Sequence, residues 1–314
     1  MVYSKIIIPS SLHPDTILAI FLLKKFGASK YPCIDNATIE IRQILAQGDT
    51  AVSLKAQGVI CLDIGGGGLD HHASQEGKVL SQLVAQDLGI LQDPALAKLL
   101  AYAERDDKFG MGTISTDQLD RAFGLSGLIS SINRAVQSTE KSLAIIVPVL
   151  DAYYTEEYKR TVQLPKEFEE TLKNGKAEIF EVKQRDKKLK AVAVHTDNAS
   201  MAGWLKASTG LKADMVLIKT GTGYVNILTK PLKRVDLRHM AAHIRNEELQ
   251  FREREVKHTM AELMAEGKIH GIPEWYYDGA TNSLLNGGVN PNGIEPTIVP
   301  FERIIAIAKN VLDN

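Results

Sequence analysis

The sequence predicts an α/β fold on three observations. Short β-branched runs, Ile6-Ile7-Ile8 and Gly58-Val59-Ile60-Cys61-Leu62, read as buried strands. Segments with apolar residues at helical spacing follow them, as in the alternation of a parallel sheet. After Pro165 the pattern changes to paired strands. A parallel-sheet domain with flanking helices is therefore expected over residues 1–165, and a smaller mixed α+β domain over 166–314.

Each element follows from local chemistry. Pro9-Ser10-Ser11 turns the chain out of the first strand into a helix from Pro14 to Phe26, closed by Gly27. Tyr31 to Ile34 reads as a second strand, Ile39 to Leu45 as a helix, and Gly58 to Asp63 as a third strand. Helices are expected over Leu80 to Leu88, over Ala95 to Ala103 with Asp93 as N-cap, and over Gln118 to Ala122, Leu125 to Val136 and Leu143 to Lys159. In the second half, Ala177 to Val182 pairs with Leu189 to His195, Met201 to Ala207 is a short helix, and Met215 to Ile218 returns through Thr220-Gly221-Thr222 to Tyr224 to Leu228. A long polar helix from about Asp236 to Glu266 and a last amphipathic helix, Phe301 to Leu312, complete the chain.

Composition narrows the function. Thirty-seven basic against thirty-eight acidic side chains argue against wholesale capture of long nucleic acid. Cys33 and Cys61 have no metal-type spacing and read as buried thiols in a reducing compartment. The N-terminus has no long apolar stretch and no apolar run approaches a membrane span, so a cytoplasmic protein with no membrane partner is expected.

The chemistry concentrates at the carboxyl edge of the first sheet. Asp63 closes the third strand, four glycines follow, and Asp70-His71-His72 comes next in CLDIGGGGLDHHAS. The glycines let the chain turn sharply and bring the triplet back beside Asp63. His13 and Asp15 follow the first strand, and Asp106 and Asp107 follow the helix in ERDDKFG. Mixed carboxylate and imidazole donors suit Mn, Fe, Co or Zn, and an acid between two ions bridges them at roughly 3.5 to 4 Å. Such a pair suits water attack on a phosphate ester.

That order, His-x-Asp, a strand-end Asp, an Asp-His-His triplet and a downstream Asp, resembles the DHH phosphoesterase superfamily. The nearest likeness is to its Myg-type (melanocyte-proliferating-gene-like) branch of metal-dependent hydrolases, through LHPDTILAIFLL, DIGGGGLDHH and LSGLISSIN, over roughly residues 5 to 135. The resemblance implies a DHH-like catalytic domain holding two divalent ions, Mn²⁺ foremost, and a smaller substrate-binding or cap domain. It implies His13 and Asp15 as ligands of different ions, Asp63 as the bridging acid, His71 as a ligand, and Asp107 as completing the second ion, with Asp106 as the competing assignment. Asp70 and His72 are the implied catalytic pair, His72 contacting phosphate. The implied substrate is a nucleotide or short oligonucleotide, cleaved as by a phosphodiesterase or exonuclease, and a homo-oligomer is compatible with it. Superfamily members usually carry a further histidine upstream, where this chain has Ile8, Pro9, Ser10 and Ser11. The ion at His13 is accordingly expected to be the weaker. The same departure motivates the alternative, a catalytically degenerate binding or regulatory protein on this fold.

The other motifs read as structural. His239 and His243 lie four apart, but Met240 stands where a zinc-protease helix has its glutamate. Arg238, Arg245 and Arg252 form a stripe interleaved with glutamates, which favours a salt-bridged face over phosphate tracking. Trp275-Tyr276-Tyr277 reads as packing at least as well as base stacking. Lys219-Thr220-Gly221-Thr222-Gly223 reads foremost as a plain hairpin turn and only weakly resembles the glycine-rich substrate loops of the superfamily's second domains.

Overall fold

The computed structural model describes residues 1–10, 12–73, 77–110, 116–288 and 293–311. Ser11 and the expected final helical residue Leu312 lie outside them. The chain divides into two compact units, Met1–Lys159 and Arg160–Asn314, nearly equal in length. The architecture is mixed α/β, with a three-stranded parallel sheet in the first unit and a separate mixed sheet in the second.

In the first unit β1 (Lys5–Ile8) leads to α1 (Pro14–Phe26), β2 (Thr38–Ile41), α2 (Ala51–Lys55) and β3 (Val59–Cys61). The helices α3 (Leu80–Asp87), α4 (Ala97–Phe109), α5 (Gln118–Phe123), α6 (Leu125–Val136) and α7 (Thr139–Tyr158) follow. The sheet order is β2-β1-β3, with β1 parallel to both neighbours. Three consecutive β-branched residues suit that central place, because a strand covered on both faces has no polar side to show. Helix α1 is buried continuously from Pro14 to Leu23. Its sequence is apolar almost all round, as a helix enclosed by others requires. Pro14 sits in its first turn, where no amide donor is needed.

Two expected elements exchange character. Tyr31 to Ile34 is not a strand: Tyr31 is buried, its hydroxyl donating to Asp87 at 2.6 Å, and Ile34 opens a short 3-10 turn. Ile39 to Leu45 is not a helix, because Thr38–Ile41 pairs with β1 as β2. Cys33 is exposed in a left-handed turn at φ 69°, against the expectation of a buried thiol, whereas Cys61 is buried. Asp93 does not cap α4; it accepts from the Ala95 amide and the Tyr154 hydroxyl, and the helix starts two residues later. That helix also runs past Ala103 to Phe109, so Asp106 and Asp107 lie in its last turn.

The second unit opens with α8 (Leu164–Lys173), β4 (Ala177–Gln184), β5 (Lys187–His195), α9 (Met201–Lys206), β6 (Met215–Lys219) and β7 (Val225–Thr229). It continues through α10 (Arg238–Phe251), α11 (Met260–Leu263), β8 (Gly267–Ile269), β9 (Ile272–Asp278), β10 (Ser283–Asn286) and α12 (Phe301–Val311). The sheet order is β4-β5-β6-β7-β10-β9-β8, with β5 and β6 parallel and the other pairs antiparallel. Leu189, Ala191 and Ala193 of β5 face a core shared with α10 and α12, while Val192 and Val194 face a second core with α8 and α9. The period of two thus serves both layers. Among the described residues no helix is long and apolar enough to cross a membrane.

The long polar helix expected to Glu266 stops at Phe251. Glu253 takes φ 52°, and Arg254 turns back to grip Glu274 with both guanidinium nitrogens, at 2.9 and 2.6 Å. Arg245, expected on a solvated face, is fully buried, and Trp275 is buried with its indole N–H donating to Glu248 at 2.9 Å. His239 and His243 are exposed on α10.

Burial pushes the Glu274 carboxyl up, but the Arg254 hydrogen bonds and the charges of Arg252 and Arg254 outweigh it and hold the group below its ordinary value of 4.5. A carboxyl depressed in the native state stabilises it fully above the unfolded value and loses that contribution as pH falls through the native one. Glu274→Gln should therefore cost about 1–2 kcal/mol at pH 7. In denaturant titrations of the full chain the gap to the parent protein should close toward pH 3.

Candidate metal centre

The loop after β3 is built by its own carboxylates. Asp63 takes φ 54°, Gly65 85° and Gly66 66°, so the chain reverses at once after the strand. The Asp63 amide donates to the Leu69 carbonyl at 2.9 Å and closes the loop. Asp70, buried, accepts from the Gly66 amide at 3.0 Å and from the His72 amide at 3.2 Å. Both glycine positions facing α2 are needed for space: a Cβ at Gly65 would lie 2.6 Å from Leu45, and one at Gly67 would lie 2.6 Å from the Ala51 Cβ. Gly65→Ala, strained by both φ and contact, should weaken metal binding about tenfold by displacing the triplet, measurable by calorimetry with Mn²⁺.

This turn delivers the triplet to Asp63. One ligand atom from each of Asp63, His71 and His72 lies within 4.8 Å of the others. His71 Nδ1 is 2.6 Å from Asp63 Oδ1, and its backbone amide donates to the same oxygen at 3.2 Å. Nε2 of His71 faces Asp107 Oδ2 at 3.7 Å. With the proton on Nδ1 shared with Asp63, Nε2 presents its lone pair toward Asp107, the arrangement by which carboxylates orient ligating imidazoles. The His72 ring lies beside that of His71, centroids 4.0 Å apart, and His72 is exposed. Asp107 rather than Asp106 is thus the helix α4 acid that faces His71.

His13 and Asp15 sit at the same sheet edge but are engaged otherwise. His13 Nε2 and the Thr16 hydroxyl are 2.8 Å apart. Asp15 is buried and accepts from the Leu80 and Ser81 amides, each at 2.9 Å, so it closes the N-terminus of α3 with both oxygens. Burial raises the Asp15 pKa, the Ser81 hydrogen bonds oppose this, and the negative charges of Asp107 and Asp63 add to the rise. Asp15 therefore lies in the field of the cluster without belonging to the tight group.

Several supporting residues carry no sequence signal of their role. The Asn133 amide of α6 donates to the Leu12 carbonyl at 2.7 Å and anchors the segment that carries His13. Gln82 of α3 donates to Glu104 of α4 at 2.9 Å, and Lys108 pairs with the same carboxylate, which ties Asp107's helix to the one that Asp15 caps. Asn133 was within reach of a reading of LSGLISSIN; Gln82 and Glu104 look like ordinary helix-surface residues.

The donor set fits a divalent transition-metal ion. Ligand bonds of about 2.0–2.2 Å place an ion between two atoms 3.7 Å apart, and carboxylate with imidazole is the chemistry such ions prefer. Comparisons with protein-family models, curated proteins and solved structures find no match for the chain.

Proposed function

We propose that the first unit is a metal-dependent phosphoesterase acting on a nucleotide or short oligonucleotide. The observation that carries this reading is the gathering of Asp63, His71 and His72 within 4.8 Å at the carboxyl edge of a parallel sheet, with Asp107 facing His71. The resemblance to the DHH phosphoesterases supports the choice of reaction and of Mn²⁺.

A divalent ion bound there supplies an activated water and offsets charge on the phosphoryl oxygens. The residues do the rest. Asp63 fixes the orientation of the His71 ring, so that Nε2 and the Asp107 carboxylate present one face to the ion. His72, exposed beside them, donates to a non-bridging phosphate oxygen as charge grows on it. Asp70 acts through the loop: by holding the Gly66 and His72 amides it sets where His72 points.

One observation favours the second reading, a binding or regulatory protein on the same fold. His13 is bonded to Thr16 and both Asp15 oxygens serve α3, which leaves the expected second ion with fewer free ligands. Metal content separates the two readings. Protein purified without chelator should hold at least one transition-metal ion per chain and hydrolyse a phosphodiester in a Mn²⁺ screen. Protein without metal and without hydrolysis would decide for the binding reading.

A further inference from the structure

The second unit has a pocket of its own, with a volume of about 420 Å³. It lies at the end of the sheet where the β4–β5 turn, the β7–α10 connection and the β9–β10 turn gather. That volume falls among sites that take whole small molecules. Leu189 and Tyr277, both buried, form an apolar floor, and the Tyr277 hydroxyl is held by Asn282 at 3.0 Å. Two walls are joined rigidly: Gln184 donates to the Asp236 carbonyl and accepts from the Asp236 amide, both at 2.8 Å.

Its charges are unbalanced. Arg185, Lys187, Lys233, Arg234 and Arg238 line it against only two acids, Asp236 and Glu266. Asp236 is occupied by Arg238, bonded through Nε and Nη2, and Lys233 is 3.5 Å from Asp214. Among the described residues Arg185, Lys187 and Arg234 have no ion-pair partner. Arg185 and Arg234 also hold left-handed backbone, at φ 55° and 49°, where glycine or asparagine fits with less strain. Turn geometry alone gives no reason for arginine at either place. Glu266 packs against Gly279, where a Cβ would come within 1.8 Å of its Oε1. The glycine makes room for an acceptor that lines the same pocket.

We propose that this pocket binds a small hydroxylated organic phosphate, with Arg185, Lys187 and Arg234 taking the phosphate and Glu266 accepting from a hydroxyl of its body. Three cations without ion-pair partners among the described residues match the two negative charges and three terminal oxygens of a phosphate monoester better than the single charge and two oxygens of a carboxylate. The inference does not rest on the metal centre, since no residue of the first unit takes part.

The test is calorimetry on the full chain, stripped of metal by a chelating resin, with ribose 5-phosphate, ribose and inorganic phosphate as probes. Ribose 5-phosphate should bind saturably at one site, inorganic phosphate at least about tenfold more weakly, and ribose not measurably. Arg185→Asn and Arg234→Asn keep residues that tolerate the backbone, and each should weaken ribose 5-phosphate at least about fivefold. Glu266→Gln should weaken ribose 5-phosphate but not inorganic phosphate. Lys188→Gln, adjacent in sequence but not lining the pocket, should change nothing, and His71→Ala should bind as the parent does. Absence of saturable binding at millimolar ribose 5-phosphate overturns the proposal. So does an affinity unmoved in both arginine variants, or inorganic phosphate binding as tightly as the sugar phosphate.

Discussion

His71→Ala is expected to lose at least about a hundredfold of Mn²⁺-dependent phosphodiester hydrolysis, with its thermal midpoint within about 3 °C of the parent protein's. Loss of residues that merely orient metal ligands costs 10- to 100-fold, and His71 contributes more than orientation. Its ring joins Asp63 on one side to Asp107 on the other, at 2.6 and 3.7 Å, so its removal would separate the two acids that flank the proposed metal site. Asp63→Asn should behave alike, because the amide keeps the loop geometry but loses the charge. The fold should tolerate both, since the loop is closed by the backbone bond between Asp63 and Leu69 and by Asp70. Hydrolysis and metal content are the paired readouts. Either variant retaining full activity with full metal occupancy would remove the triplet from the mechanism.

Arg245→Leu should destabilise the second unit by at least about 3 kcal/mol, without altering metal content. The guanidinium is fully buried and donates to the carbonyls of Leu263, Ala265, Gly267 and Trp275, at 2.7, 2.7, 2.6 and 3.3 Å. Burial pushes its pKa down to about 10, so the group remains charged at neutral pH. Among the described residues no carboxylate bonds it, and backbone carbonyls solvate the cation. Leucine fills much of the volume but leaves four acceptors without donors, and each unsatisfied group costs about 1–3 kcal/mol. Arg245→Lys should recover part of the loss, because an ammonium reaches some of the carbonyls but not the forked set. Chemical denaturation of the full chain, followed by the fluorescence of Trp204 and Trp275, both buried in the second unit, measures both.

The parts of the fold legible in sequence are those whose burial is continuous along the chain. β1, α1 and β3 are apolar runs bounded by turn formers, and their burial matches their composition. β2 was illegible because Thr38–Ile41 is half exposed and owes its conformation to pairing with β1, a contact 33 residues away in register, Lys5 with Thr38. The end of α10 was equally hidden, since Arg254 meets Glu274 only after the chain has turned back. At the candidate site, Asp63 and the triplet were readable because glycines announced the turn between them. The engagement of Asp15 was not: its two bonds run to amides 65 and 66 residues later, which nothing near LHPDTILAIFLL foreshadows. The same holds for the arginine stripe, where a charged heptad spacing concealed one residue buried at 0% exposure.

Asp63 holds left-handed backbone, which aspartate visits more readily than most residues but less readily than glycine, and its carboxylate stands among other acids. Glycine there would relax a φ of 54° and remove one of three carboxylates, with Asp15 and Asp107, that share a field when no cation is present. Against that stand the two contacts with His71, its amide and its ring, that the Asp63 carboxylate makes and glycine could not. If the proposed cation binds, it offsets the repulsion among the three carboxylates, so added Mn²⁺ should raise the thermal midpoint of the parent protein and not that of Asp63→Asn, and metal supply would then set how long the unit stays folded.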